Sequence, residues 1–140
     1  MCAHAVDITG TVFKNGSVTL LARVVGPDAV ALTQADVTSI ALSVYLLDDT
    51  DPDSGTVVTG HSATVLVVAA TIFDTLQVDE LWKDPRTGRY VDQVGFNFKH
   101  VLAIGAAQAF ATAGRNYRIV ATITPVAGEV ILVRFRVHCI

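Results

Sequence analysis

Tyr117-Arg118-Ile119-Val120-Ala121-Thr122-Ile123-Thr124 and, after a turn, Ile131-Leu132-Val133-Arg134-Phe135-Arg136-Val137-His138 decide how this chain reads. In the first segment Tyr117, Ile119, Ala121 and Ile123 alternate with Arg118, Val120, Thr122 and Thr124. In the second, Ile131, Val133, Phe135 and Val137 alternate with Leu132, Arg134, Arg136 and His138. Successive side chains of a strand point to opposite faces, so a period of two over this length predicts half-buried antiparallel strands. Pro125-Val126-Ala127-Gly128 between them is turn chemistry. Residues 95–102 alternate as well, with Phe96 and Phe98 expected on one face and Asn97 and Lys99 on the other. A hairpin is not stable alone in water, so the rest of the chain must supply a second apolar layer.

Working outward, residues 6–13 read as a first strand, and Lys14-Asn15-Gly16-Ser17 as a hairpin turn in which Asn and Gly accept positive φ. Residues 18–25 form the second strand, closed by Gly26-Pro27-Asp28. Thr33-Gln34-Ala35-Asp36 has the spacing of a capped turn. Residues 39–47 follow as a strand, with Ile40, Leu42, Val44 and Leu46 inward and Ala41, Ser43 and Tyr45 outward. Residues 56–59 suit a short edge strand and 64–70 a further strand. Residues 71–81 fit either an irregular strand or a helical turn. Residues 82–90 form a loop around Pro85-Arg86-Thr87-Gly88. The alanine-rich residues 101–113 leave room for one or two helical turns before Gly114. About seven strands, with turn signals every ~8–12 residues, predict an all-β, immunoglobulin-like antiparallel β-sandwich with short helical turns. One domain spans residues 1–140, with residues 1–4 as a flexible arm. The expected core is Ile8, Val12, Val18, Leu20, Ala22, Ile40, Leu42, Val44, Leu46, Val65, Val67, Trp82, Phe96, Phe98, Tyr117, Ile119, Ile123, Ile131, Val133, Phe135 and Val137.

Composition adds a constraint. Of the 140 residues 51% are hydrophobic and only 16% are charged, against roughly 25% charged in an ordinary soluble domain. Mean hydropathy is +0.50. So few charges cannot cover the surface, which predicts that apolar surface is buried against other chains. No apolar run reaches the ~18–20 residues of a membrane span. No basic segment precedes an apolar one at the N-terminus, so no signal peptide is expected. The net charge of −3 is unevenly placed: residues 1–92 carry 12 acidic and 5 basic side chains, residues 93–140 carry 1 acidic and 5 basic. That asymmetry suits contacts between copies better than nucleic acid, which calls for a denser basic patch.

Three groups of residues are candidates for a site. The acidic loop, residues 48–55, places Asp49, Asp51 and Asp53 like the first three ligands of a calcium loop. Glycine then stands at the seventh position instead of the sixth, and Gly60 stands where the bidentate Glu belongs, so no metal is expected. Cys2, His4, His138 and Cys139 form a second group. His138 and Cys139 point to opposite faces of their strand, and in an immunoglobulin-like sandwich parallel first and last strands separate residue 2 from residue 139. Neither a zinc site nor an intramolecular disulfide is expected. His61 and His100 are isolated, with His100 at the rim of the core. No nucleophile elbow, triad spacing or phosphate loop occurs, so neither catalysis nor a cofactor is expected. The third group is Arg118, Arg134 and Arg136, whose outward side chains make one positive stripe on paired strands. The guanidinium fork pairs bidentately with carboxylates, which makes the stripe either a solvated face or a dock for Asp49, Asp51 and Asp53 of a neighbouring subunit.

Ile72-Phe73-Asp74-Thr75-Leu76-Gln77, Trp82, Gly95-Phe96-Asn97-Phe98-Lys99-His100, Phe110, Gly114, Tyr117, Ile123-Thr124-Pro125 and Gly128 together resemble short β-sandwich proteins of bacteriophage and prophage structural-gene regions. Asp7-Ile8-Thr9-Gly10 and Leu32-Thr33-Gln34-Ala35-Asp36-Val37 are similar to the immunoglobulin-like domains of phage tail, baseplate and decoration proteins. Tyr117, following Gly114, resembles the tyrosine corner of such sandwiches. The resemblance implies a non-enzymatic virion structural protein, made in the host cytoplasm and carrying no catalytic residues. Its partners would be copies of itself and other virion proteins at the capsid surface, head–tail junction or tail. No membrane, nucleic-acid or small-molecule partner is expected. The alternative is a cell-surface adhesion module that binds a glycan or protein through its loops, with Trp82, Arg86, Arg89 and Tyr90 as the patch.

Overall fold

The computed structural model describes residues 8–26, 30–51, 54–77, 86–87, 95–102 and 108–140. Nine strands lie among them: β1 (Ile8–Val12), β2 (Val18–Ala22), β3 (Val37–Leu47), β4 (Gly55–Val57), β5 (Thr64–Leu66), β6 (Ile72–Gln77), β7 (Phe96–Leu102), β8 (Asn116–Pro125) and β9 (Ile131–Cys139). A single helical turn, α1 (Val68–Thr71), runs directly into β6, and a 3-10 turn, Gln34–Asp36, precedes β3. The strands make two sheets. The larger has the order β1-β9-β8-β3-β4, with β5 pairing β3 beside β4; the smaller has the order β2-β7-β6. This is the strand arrangement of an immunoglobulin-like sandwich. Most pairs are antiparallel, but β1 runs parallel to β9, with Val12 beside Cys139.

The larger sheet follows the period of two closely. In β8 Tyr117, Ile119, Ala121 and Ile123 are buried, and in β9 Val133, Phe135, Val137 and Cys139 are. Across them β3 contributes Ile40, Leu42 and Val44. The facing layer brings Leu20, Ala22, Ile72, Phe98 and Leu102, so the core is the filling between two sheets. Phe98 stacks on Phe135 across this space with ring centroids 6.1 Å apart. Phe110 meets Tyr117 edge to face at 5.2 Å. The Tyr117 hydroxyl accepts a hydrogen bond from the Thr112 N–H, five residues upstream, at 3.1 Å. A tyrosine at a strand start bonded back to upstream backbone is a tyrosine corner, and Gly114, at φ +83°, makes the bend it spans.

Several expectations need correction. Val65 and Val67, expected in the core, are 79% and 69% exposed. The buried residue of β5 is Leu66, which pairs with Ile40; an apolar run cannot show which parity faces in, and a slip of one reverses every side chain. The strand expected over 64–70 ends at Leu66 because the chain turns helically at Val68. Residues 71–81 resolve, over the part described, into the end of α1 and the irregular strand β6. Ile8 is exposed, since β1 is an edge strand with only Val12 covered. Phe96, Val18, Leu46 and Ile131 are half-buried. Residues 108–113 contain no helical turn. Trp82 and residues 1–4 and 103–107 lie outside the described residues.

The largest correction is Asn97. Alternation put it outside with Lys99, yet it is 1% exposed. Beyond Ala22 the second strand leaves β7, and the Asn97 side chain takes over the pairing. The Val24 N–H donates to Asn97 Oδ1 at 2.7 Å, while Asn97 Nδ2 donates to the Val24 carbonyl at 2.9 Å and to the Leu32 carbonyl at 3.0 Å. One carboxamide thus serves both main-chain groups of Val24, as the peptide of a neighbouring strand would. β2 pairs β7 without a break from Val18 to Ala22, but the other side of β7 is irregular. Five residues of β6 advance against two of β7, between Ile72↔Phe98 and Gln77↔Phe96. Gln34 Nε2 donates to the Ile72 carbonyl at 2.9 Å, and Asp74 accepts from the Gln34 N–H at 2.8 Å. The turn before β3 is closed as its spacing predicts, with Asp36 accepting from both the N–H and the hydroxyl of Thr33.

Candidate interaction surface

Strands β3, β8 and β9 contain no Asp or Glu, and their outward face carries all three candidate arginines. Register places them together. Arg118 lies directly opposite Arg136 on one side and Tyr45 on the other. Arg134 is opposite Val120, one diagonal step from Arg118. The sequence reading of one stripe therefore matches the placement. Between them is a shallow depression of about 330 Å³, lined by Tyr45, Leu47, Gly55, Arg118, Val120, Leu132 and Arg134. Its apolar lining comes from Val120, Leu132 and Leu47, and two guanidinium-bearing chains border it. Such a surface can hold an apolar body that carries a carboxylate, because arginine stems cover apolar groups while their forks pair with anions.

The acidic loop lies beside this depression. Gly55 at its end pairs with Leu47, and a Cβ at Gly55 would come within 3.3 Å of the Leu47 side chain. Leu47 follows the outward parity of Tyr45 but is buried there, apart from the main core. Asp48 accepts from the Thr50 N–H at 2.9 Å and from its hydroxyl at 2.8 Å, and these bonds hold the carboxyl below the usual carboxylate range. Asp49 pairs with Arg115 Nε at 2.9 Å, and Arg115 also donates to the Leu47 carbonyl at 2.8 Å. Arg115 was not among the candidates. The signal for it was its place just past Gly114, where the turn into β8 directs it back across the end of β3. Asp49 remains 63% exposed. Asp51 is exposed, and Asp53 lies outside the described residues. Among the described residues no group of three or more His, Cys, Asp or Glu is placed to hold a metal ion.

The remaining candidates are separate from this face. Cys139 is fully buried, with Sγ 3.9 Å from the Phe110 carbonyl, and burial raises its thiol pKa. His138 is exposed on the opposite side of the same strand, its ring 3.0 Å from Asn116 Oδ1. The two therefore face apart. Cys2 and His4 lie outside the described residues. His100 is half-buried, and desolvation lowers its pKa, which favours the neutral ring. Of the aromatic loop only Arg86 and Thr87 are described; Trp82, Arg89 and Tyr90 lie outside. No helix of the described residues is long and apolar enough to cross a membrane.

The fold and this surface define a class, an immunoglobulin-like sandwich with a charged and apolar outer sheet face. No protein-family model matches the chain, and no curated protein matches its sequence.

Proposed function

We propose that this chain is a non-enzymatic structural protein of a bacteriophage particle, packed in many copies against itself and other virion proteins. The observation that carries this reading is the apolar surface on regular strands. Val65 at 79%, Leu132 at 57% and Val57 on the edge strand β4 are all exposed, in a chain with only 16% charged residues. Isolated exposed aliphatics are ordinary, but their number together with the shortage of charge favours a surface that is covered in the working assembly. The resemblance to phage sandwich domains supplies the kind of assembly, and the work done is packing, with edge strands and charges setting register.

The test is the mass of the native assembly, by light scattering and negative-stain imaging of purified material. Rings, tubes or shells containing the chain are expected. A strictly monomeric protein at high concentration in physiological salt, with no particle to which it binds, overturns the reading.

A further inference from the structure

We infer that the open edge of β1 is an interface for a second copy of this chain, the two β1 strands pairing antiparallel about a two-fold axis at Gly10. The inference rests on the assembly reading above and names its contact.

Three observations converge. First, β1 ends the larger sheet, and among the described residues no strand pairs with its other side. Its sequence, Ile8-Thr9-Gly10-Thr11-Val12, contains no charge and no proline, the usual means of blocking an open edge. The opposite edge of the sheet is divided between β4 and β5, of three residues each. Second, the main-chain groups of β1 have the right phase. Just past the strand, the Ile140 N–H donates to the Val12 carbonyl at 2.9 Å and the Lys14 N–H donates to the Ile140 carbonyl at 2.8 Å. Val12 therefore turns its carbonyl toward β9. Alternation along the strand gives Gly10 and Ile8 the same direction, and turns the N–H and carbonyl of Thr9 and Thr11 to the open side. In an antiparallel pair centred on Gly10, Thr9 stands opposite Thr11 of the second copy, and the two exchange both N–H···O bonds. The two-fold axis repeats that exchange, so every pairing occurs twice. Third, the residue types of β1 read nearly the same in both directions from Gly10. The pairing sets threonine against threonine and Ile8 against Val12 of the second copy, both favourable cross-strand neighbours. Register with β9 places Ile8 beside buried Phe135, on the core side, yet Ile8 is 41% exposed. An aliphatic side chain beyond the edge covers it. Glycine at the axis leaves no side chain to collide where the strands come closest. An arbitrary extended peptide would use the main-chain groups alone, whereas a second β1 also matches the side chains.

Position-specific cross-linking tests this with the full chain in a Cys2→Ser background; Cys139 is buried. At the axis the two Gly10 Cα atoms would stand about 4.5 Å apart, within the span of a disulfide. Room exists for the new side chain, since a Cβ at Gly10 meets only Val137 Cγ1, at 3.8 Å. Gly10→Cys is therefore expected to give a covalent dimer on mild oxidation. Ile8→Cys, on the same edge and side, is expected to stay monomeric on a reducing-agent-free gel, because the pairing holds its two copies more than about 13 Å apart. Thr11→Pro removes an N–H that faces away from β9 and so should fold, as circular dichroism would verify. It deletes two of the four bonds across the axis, and its self-association in sedimentation velocity is expected to be at least about tenfold weaker than that of the unmodified chain. Equal cross-linking at positions 8 and 10, none at position 10, or unweakened association of the folded Thr11→Pro variant overturns the β1 interface while assembly by another surface stands. If the unmodified chain is monomeric at every concentration and joins no particle, the interface and the assembly reading fall together.

Discussion

The two sheets of this sandwich are held by different means. In the larger one, β3, β8 and β9 are joined by long ladders, nine partners between β3 and β8, broken only by a register shift between Val37 and Ser39, and eight without a break between β8 and β9. Main-chain groups satisfy one another, and the side chains are left to divide apolar from polar between the faces. In the smaller one the ladder between β6 and β7 records only two partners. Here side chains replace missing backbone pairs: Asn97 for Val24 and Leu32, Gln34 for Ile72, and Arg23 Nε for the Gly95 carbonyl at 2.9 Å. Buried backbone groups must be paired in either case. A sheet that leaves its ladder incomplete concentrates its stability in a few polar residues.

The sharpest test of that contrast is Asn97→Ala. The Val24 N–H and the Leu32 carbonyl lose the bonds described, while the Val24 carbonyl keeps the Leu32 N–H at 3.0 Å. Two orphaned buried groups plus the lost side chain are expected to cost about 3 to 5 kcal/mol in urea denaturation. A loss under about 1 kcal/mol would mean the strand end can re-pair without the amide.

A glycine in each sheet region extends the comparison. A Cβ at Gly95, φ +98°, would stand 2.4 Å from the Gln77 carbonyl oxygen, whereas at Gly114, φ +83°, nothing lies within 4 Å. Gly95→Ala therefore carries both conformational strain and a backbone clash, with an expected loss of about 2 to 3 kcal/mol. Gly114→Ala carries the strain alone, with about 1 kcal/mol expected. Thermal unfolding of the two variants measures the difference, and equal losses would contradict the close approach of β6 to the start of β7.

Tyr117→Phe removes one part-buried hydroxyl from the larger sheet but keeps the edge contact with Phe110. The expected loss is about 1 kcal/mol in the same denaturation assay. It should fall well below that of Asn97→Ala, because the neighbouring ladder stays intact. The smallest effect is expected from Asp49→Ala. Its pair with Arg115 is largely solvated, so about 0–1 kcal/mol is at stake, and raising salt should shrink it further. A larger loss would show that the acidic loop helps hold the end of β3.

Much of this was legible in the residues. Alternation located β8 and β9 and the buried set Tyr117, Ile119, Ile123, Val133, Phe135 and Val137, because a half-buried strand writes its two faces into the sequence. The turn at Thr33 and Asp36 and the shared face of Arg118, Arg134 and Arg136 were legible for equally local reasons. Val65, Leu66 and Val67 were not, since three adjacent aliphatics fit either parity and only the pairing of Leu66 with Ile40 chooses.

The sequence by itself determined the class of fold and which side chains share a strand face, since both follow from spacing along the chain. Tertiary structure decided the rest. It brought the acidic loop to the border of the arginine face and set Arg115 on Asp49. It also drew Asn97 inward to complete a sheet that lacks a neighbour at Val24. Each of these depends on which distant segment lies alongside, and that is set by whole-chain packing and by the requirement that buried backbone groups find partners.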